Sequence, residues 1–190
     1  MSGDVRGGGV RGGGVPDEDA LLGDGTAATA LARYDALPPT SLAQLRGAWR
    51  GWGIPTGHRL DGVLEALGWQ GKRFDDEDRV HPLVFRSGRR LVSVNPAVVP
   101  LGLALRCAPA LRNRAAAGAF GLVAPLLGTT RPHGRLRPVE YRGVVSAALV
   151  YDDLPVIDVF RTVDDATVVG AMDARGMREP YLFALRRLGS

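Results

Sequence analysis

The side chains that could do chemistry are few and scattered. The three histidines are His58, His81 and His133, and none lies at metal-ligand spacing from another. The single cysteine, Cys107, has no motif around it that marks a nucleophile, and no Gly-x-Ser-x-Gly sequence occurs. A pocket containing His58 and Asp61 could support proton transfer, so a small-molecule enzyme using these residues stays open. The sequence predicts no metal and no cofactor.

Two other clusters favour structural explanations. Asp75 to Asp78 form an acidic run without the spacing of a calcium loop, which indicates a solvated surface. Gly51, Gly53 and Gly57 approach a dinucleotide-binding loop, but three residues rather than two precede the last glycine, and Pro55 interrupts the loop. Neither cluster predicts a site.

The charge is unevenly distributed along the chain. Ten arginines and a single acid, Glu140, lie between Arg86 and Arg142, although the net charge is only +4. Basic stretches attract the phosphates of lipids or nucleic acids, and they are equally compatible with a solvated surface. Because Phe120 and Tyr141 are the only aromatic residues in this stretch, the sequence argues against single-stranded nucleic acid as a partner.

The N-terminus and the cysteine content indicate the compartment. Residues 1–16 are rich in glycine and lack an apolar segment, so we expect a disordered tail and no secretory signal. A single thiol fits a reducing compartment, and we expect a cytoplasmic protein. The longest uncharged run, Ala115 to Thr130, is broken by Pro125 and is too short to span a bilayer.

The first half of the chain predicts short elements. Apolar spacing predicts a helix within residues 17–37 that ends at Pro38, whereas the glycines of residues 42–52 favour a bent strand. Residues 61–68 predict a two-turn helix with Asp61 near its start and Gly68 as its stop. Val80 to Phe85 and Arg90 to Asn95 predict a hairpin around Ser87-Gly88, and residues 96–127 one irregular helix.

The second half predicts a run of short strands, because turn signals recur about every ten residues. The predicted strands are Val139 to Tyr141, Val144 to Tyr151, Val156 to Thr162, Thr167 to Met172 and Tyr181 to Arg186. This spacing is typical of an antiparallel sandwich or barrel. We therefore predict a mostly β fold, an antiparallel β-barrel with a few short helices, as one domain over residues 17–190.

A packing motif lies in the predicted first strand. Trp49 would plug one end of the barrel, while Gly47 and Gly51 would let the chain bend around the indole. The blocks Gly47 to Gly51, Gly53 to His58, Gly68-Trp69 and Gly71 to Phe74 strongly resemble those of the bacterial GXWXG proteins.

The resemblance covers about residues 42–187. Val139 to Gly143 and Leu154 to Phe160 are similar to the C-terminal half of these proteins, which is a domain of unknown function. The resemblance implies a GXWXG half at 17–96, an insertion at 97–134 and a β-meander half at 135–190, but no settled activity. A weaker likeness to lipocalins and fatty-acid-binding proteins implies a calycin-like barrel, in which Arg186 or Arg187 packs against Trp49.

The predicted function is the binding of a hydrophobic or amphiphilic small molecule, a lipid or fatty acid, inside the barrel without catalysis. Arginine would hold the head group, with Arg142 as the first candidate. The predicted ligand-binding residues are Trp52, His58, Trp69, Phe85, Arg90, Tyr141, Arg142, Tyr151, Phe160, Arg161 and Tyr181. The apolar run Ala115 to Leu127 would be an access flap, a helix resting on an anionic membrane, or a helix packed in the core.

Overall fold

The computed structural model describes residues 26–98, 102 and 108–189. The predicted tail at residues 1–16, residues 17–25 of the first predicted helix, and Cys107 lie outside the described residues.

Nine antiparallel strands form one sheet. They are β1 (Gly47–Gly53), β2 (Trp69–Phe74), β3 (Val80–Ser87), β4 (Arg90–Ser93), β5 (Gly134–Tyr141), β6 (Val144–Tyr151), β7 (Val156–Asp164), β8 (Thr167–Ala174) and β9 (Tyr181–Arg187). The order is β2-β1-β9-β8-β7-β6-β5-β3-β4, and an additional pairing joins β2 to β3. The hydrogen bonds therefore close into a ring, which confirms the mostly β, barrel-like fold.

Short α-helices accompany the described strands, among them α1 (Ala27–Ala36), α2 (Val63–Ala66) and α3 (Arg114–Val123). Single 3-10 turns lie at Ala43–Leu45 and Pro96–Val98. Helix α1 begins where the Thr26 side chain accepts a hydrogen bond from the Thr29 N–H, and it ends just before Pro38 as predicted.

Two helix predictions were wrong in detail. The single helix predicted over 96–127 is interrupted, because Asn113 is extended and accepts the Ala116 N–H as the N-cap of α3. Helix α2 is one turn rather than two, and it follows Gly62, whose φ of 72° is left-handed. Asp61 does not cap it: its carboxylate accepts the N–H groups of Thr56 and Gly57 at 2.9 and 2.8 Å.

The C-terminal meander is close to its prediction. β6 has the predicted bounds, and β7, β8 and β9 begin where predicted and run one or two residues further. β5 begins at Gly134 rather than Val139, because its pairing with β6 continues as far as Tyr151. β9 lies between β8 and β1, so the C-terminal strand closes the ring against the N-terminal half.

Side chains inside the ring form the main core, and a second cluster lies outside it, beneath α1. Ala30 and Tyr34 of α1 cover Val169 and Leu182 of the sheet. The Tyr34 hydroxyl donates to the Val159 carbonyl at 3.0 Å. Alternation along the strands therefore sends neighbouring residues into two different apolar layers.

Trp49 seals one end of the ring. Its side chain is buried, and its indole N–H donates to the Leu45 carbonyl at 2.7 Å. The Arg187 guanidinium lies 4.4 Å from the ring centroid and donates to the carbonyls of Gln44 and Arg46. The basic partner implied by the lipocalin likeness is thus Arg187 and not Arg186.

The glycines of the motif have different roles from the predicted one. Gly47 has a φ of 109°, which favours glycine. Gly51 does not make room for Trp49: a Cβ there would lie 2.3 Å from the ring of Trp69, which packs across it. The prediction that both glycines bend around one indole was therefore wrong for Gly51.

Candidate ligand-binding cavity

A cavity of about 120 Å³ lies inside the ring, at the end opposite Trp49. The strands supply aromatic walls, among them Trp69, Phe85, Tyr181 and Phe183. The rings of Tyr181 and Phe183 stack with centroids 6.4 Å apart, and Trp69 meets Phe183 edge-on at 5.9 Å. The walls are thus mostly apolar, as in small-molecule sites generally.

Two short segments cover the cavity. Leu60, Val63, Leu64 and Leu67 reach it from α2 and the residues around it. Phe120 of α3 covers another side, where its ring contacts Phe85 with centroids 4.9 Å apart.

A bulge in β2 aims a charged side chain into this apolar space. The pairing of β2 with β3 shifts register on both sides of Gly71, whose φ is 133°. A Cβ at Gly71 would lie 1.9 Å from the Trp49 carbonyl oxygen, so only glycine fits. Trp69 and Lys72 are three positions apart, yet both line the cavity, which strict alternation would prevent. The bulge therefore turns Lys72 inward.

Lys72, Asp158 and Tyr151 form a buried polar cluster in the cavity wall. Lys72 Nζ lies 2.8 Å from Asp158 Oδ2, and the two side chains are 3% and 0% exposed. The Tyr151 hydroxyl donates to the same oxygen at 3.0 Å and accepts from Lys72 Nζ at 3.1 Å. Lys72 also donates to the Pro82 carbonyl at 3.2 Å. All three ammonium N–H groups therefore have acceptors within the protein.

The Lys72 ammonium is packed among aromatic rings, and its charge is paired with the Asp158 carboxylate. Lys72 Nζ lies over the rings of Phe183, Tyr151 and Trp69, 5.0 to 5.6 Å from their centroids. Burial, with the neighbouring Asp158 carboxylate, raises the pKa of Tyr151 well above its usual value, so its hydroxyl stays protonated. The second carboxylate oxygen, Asp158 Oδ1, is buried without a hydrogen-bond partner among the described residues.

The structure brings together four of the predicted ligand-binding residues. Trp69, Phe85, Tyr151 and Tyr181 all line the cavity. Phe160 is inside the ring but not in the cavity wall, because it packs edge-on between Phe74 and Phe183.

The three predicted arginines lie outside this cavity. Arg142 makes a two-pronged pair with the Asp35 carboxylate of α1, with both distances 2.6 Å. Arg161 is fully buried but on the outer face of β7, over the ring of Tyr34. Arg90 is exposed on β4. Because alternate residues of a strand face opposite sides, Asp158 points inward and Arg161 points outward.

Trp52 and Tyr141 are also outside the cavity, because both pack against the cluster beneath α1. His58 lies behind the wall, with its ring 5.5 Å from that of Tyr181. Its Nδ1 accepts the Leu60 N–H at 3.1 Å, and burial lowers its pKa. Since Asp61 holds the loop at Thr56 and Gly57, both members of the predicted catalytic pair shape the loop rather than the cavity.

Sequence reasoning missed Lys72 and Asp158 as site residues, although signals were present. Lys72 is the only lysine in a chain whose Lys and Arg total 24. Asp158 interrupts the apolar run from Leu154 to Phe160, between Ile157 and Val159. Among the described residues, no group of three or more His, Cys, Asp or Glu side chains is placed to hold a metal ion.

Family profiles match the chain in two places. The profile described as "GXWXG protein" matches residues 32–89, and the one described as "Domain of unknown function (DUF4334)" matches residues 132–187. A protein from Thermomonospora curvata, known from a crystal structure, is 33% identical, and the match covers 90% of this chain and 95% of that chain with a TM-score of 0.65. This chain belongs to the GXWXG family. No curated protein matches it.

The cavity of this GXWXG protein is built from both matched regions. Lys72 lies within the first match, whereas Tyr151 and Asp158 lie within the second. Neither profile describes an enzyme, and the printed description of the Thermomonospora protein states no activity. Of the helices in the described part of the chain, none has the length and apolar character needed to cross a membrane.

Proposed function

We propose that this GXWXG protein binds a small amphiphilic molecule, with the apolar part of the ligand against the aromatic walls of the cavity and its polar end beside Lys72, Tyr151 and Asp158. One observation carries the proposal: a mostly apolar cavity contains a single buried polar cluster in its wall. Apolar walls with a few placed polar groups are the usual composition of ligand sites.

The cavity volume restricts the ligand. An apolar cavity of about 150 Å³ binds benzene, and this cavity measures about 120 Å³. It therefore suits a compact group of about the size of one ring, rather than the full tail of a long-chain fatty acid. A longer tail requires the cover to move, and α3, which reaches the cavity through Phe120, is the element placed to do so.

The buried ion pair favours a functional role over a stabilising one. Removing two charges from water costs several kcal/mol per ion, and apolar replacements of such pairs are often neutral or stabilising. Fold stability therefore gives little reason to keep Lys72 and Asp158 inside an apolar cavity. A ligand that uses the cluster gives such a reason.

Peripheral contact with an anionic membrane is also proposed, on the outer surface of α3. Leu122 is 81% exposed, and Leu126, just beyond the helix, is 83% exposed. Arg112 and Arg131, on either side of this segment, are also exposed. Exposed leucines beside arginines are typical of helices that lie on a bilayer surface.

Proton transfer is the second candidate function, because Asp158 Oδ1 is a buried carboxylate oxygen free to accept a proton. We favour binding without catalysis. Incubation with cyclopentanone in heavy water distinguishes the two, since only an enzyme would exchange the ketone's α-protons in a way that Asp158→Asn abolishes.

Calorimetric titration with phenol and octanoate tests the proposed binding. Leu83 lines the cavity, whereas Leu91 on the adjacent β4 is exposed, so Leu83→Trp fills the site and Leu91→Trp is its matched control. We expect saturable binding of at least one probe to the wild type and to Leu91→Trp, and none to Leu83→Trp. Binding that survives in Leu83→Trp, or is absent from the wild type, contradicts the proposal.

A further inference from the structure

The unpartnered oxygen of Asp158 defines what the polar end of a ligand must offer. Asp158 lines the cavity and is fully buried, yet only its Oδ2 has hydrogen-bond partners among the described residues. A buried charged acceptor without a donor is unfavourable, and a ligand that supplies the donor recovers that free energy on binding. The Asp158 carboxylate therefore lacks one N–H or O–H donor. The Trp69 indole N–H and the Tyr181 hydroxyl, whose side chains also line the cavity, are likewise buried without partners among the described residues.

Lys72 has no free N–H group with which to bind an anionic head group. Its three N–H groups already reach Pro82, Tyr151 and Asp158, and its charge is matched by the Asp158 carboxylate. Among the residues that the structure describes, no other Lys or Arg side chain lines the cavity. A ligand carboxylate would thus be buried beside the Asp158 carboxylate without a cation of its own, and like charges at close range repel strongly.

A cationic ligand would be repelled by the Lys72 ammonium. An ammonium group would donate to Asp158 but would bring a second positive charge next to Lys72. Burying an additional net charge against apolar walls is costly, whereas a hydroxyl supplies the donor without one.

We propose that the ligand of this cavity carries a neutral hydrogen-bond donor, the hydroxyl of an alcohol or phenol, which binds Asp158 Oδ1, and that carboxylates are excluded. This inference rests on the proposed binding function and narrows its ligand class. It replaces the fatty-acid carboxylate that the sequence suggested with an uncharged hydroxyl.

Isosteric probes test the proposal on the wild-type protein by calorimetry at neutral pH. Toluene and phenol differ at one substituent, a methyl group against a hydroxyl; anisole keeps the oxygen without its proton, and benzoate is the carboxylate. We expect phenol to bind roughly tenfold or more tighter than toluene and anisole, the ratio typical of one hydrogen bond to a charged group. Benzoate should show no saturable binding.

A variant isolates the cluster without leaving a charge unpaired. Replacing the pair by apolar residues, Lys72→Met with Asp158→Leu, removes the acceptor and preserves the fold. The preference for phenol over toluene should then fall to about one.

The possible results distinguish an error in the proposed ligand class from an error in the proposed binding function. If toluene and phenol bind equally, or benzoate binds best, the cavity binds ligands but the proposed donor class is wrong. If octanoate binds and none of these four probes does, the proposed donor class is also wrong. If octanoate and all four probes fail to bind, the proposed function fails, and this inference fails with it. A preference for phenol that persists in the double variant would place the hydroxyl elsewhere and overturn the assignment to Asp158.

Discussion

The two ends of the strand ring each hold a cation over an aromatic ring, but the protein satisfies the two cations differently. At the sealed end, Arg187 lies over Trp49 and donates to backbone carbonyls, which carry no net charge and cannot leave. At the cavity end, Lys72 is paired with a carboxylate whose second oxygen has no partner among the described residues.

Under the proposed function, this difference distinguishes a packing contact at one end from a ligand contact at the other. At the sealed end, the protein itself supplies acceptors to the Arg187 guanidinium and to the indole N–H of Trp49, so the aromatic–cation pair stabilises the fold. The cavity end retains an unfilled volume and buried polar atoms without partners among the described residues, of which Asp158 Oδ1 is the charged one. Stability measurements should therefore respond most at the sealed end, and ligand measurements only at the cavity end.

Trp49→Ala should give the largest loss of stability. The indole is 1% exposed and plugs the ring, so its removal should cost about 3–5 kcal/mol. Urea unfolding followed by circular dichroism measures this loss. A melting temperature within a degree or two of the wild type would show that the sealed end is not a packing device.

Lys72→Met should destabilise almost as strongly, by about 3–5 kcal/mol, because it leaves the Asp158 carboxylate buried and unpaired. The double variant with Asp158→Leu should recover most of that loss. Equal destabilisation by the single and double variants would mean that the cluster contributes packing rather than charge pairing, and the contrast between the two ends would disappear.

Acidification should weaken the fold near the cavity wall. Burial lowers the pKa of His58 below its ordinary value, so the folded state favours the neutral ring. The stability it contributes is present above the ordinary histidine pKa and is lost as the pH falls from there through the lowered pKa of the folded state. The pKa of His81 is also lowered, so the contribution of His58 must be isolated with the variant His58→Gln. Between about pH 7 and pH 5, the melting temperature of this variant should fall less than that of the wild type.

Arg142→Ala should have the smallest effect. Its pair with Asp35 is exposed on the outside of the ring, where such pairs contribute about 0–1 kcal/mol. Affinity for phenol should not change. A large loss of phenol affinity in this variant would restore Arg142 to the binding site and contradict the assignment to Asp158.

The sequence predicted the strand meander well, because β-branched runs and turn residues are local signals. It also indicated Trp49 correctly as a buried packing residue. The polar cluster was not predictable in the same way, since β2 (Trp69–Phe74) contains Gly71, Lys72 and Arg73 and lacks an alternating pattern. Only the bulge at Gly71, a tertiary feature, turns Lys72 inward.

The positions of Arg142 and Arg161 outside the cavity were not predictable from the sequence for a related reason. Arg142 and Arg161 are close to aromatic residues in sequence, but one lies in a turn and the other faces outward beneath α1. Composition counts charges without stating which face of a strand carries them. Asp158 lies two positions after the cavity-lining Val156, so strand alternation places both side chains on the inner face of β7. Arg161, three positions after Asp158, is on the outer face.

The most direct test of the central claim uses the fact that Lys72 is the only lysine. Protein labelled with ¹³C at the lysine ε-carbon gives one side-chain NMR signal, which reports on the cavity alone. Titration with phenol should move this signal saturably in the wild type and in Leu91→Trp, and should leave it unchanged in Leu83→Trp. If calorimetry detects phenol binding while the Lys72 signal stays still, the ligand binds elsewhere and the cavity is not the functional site.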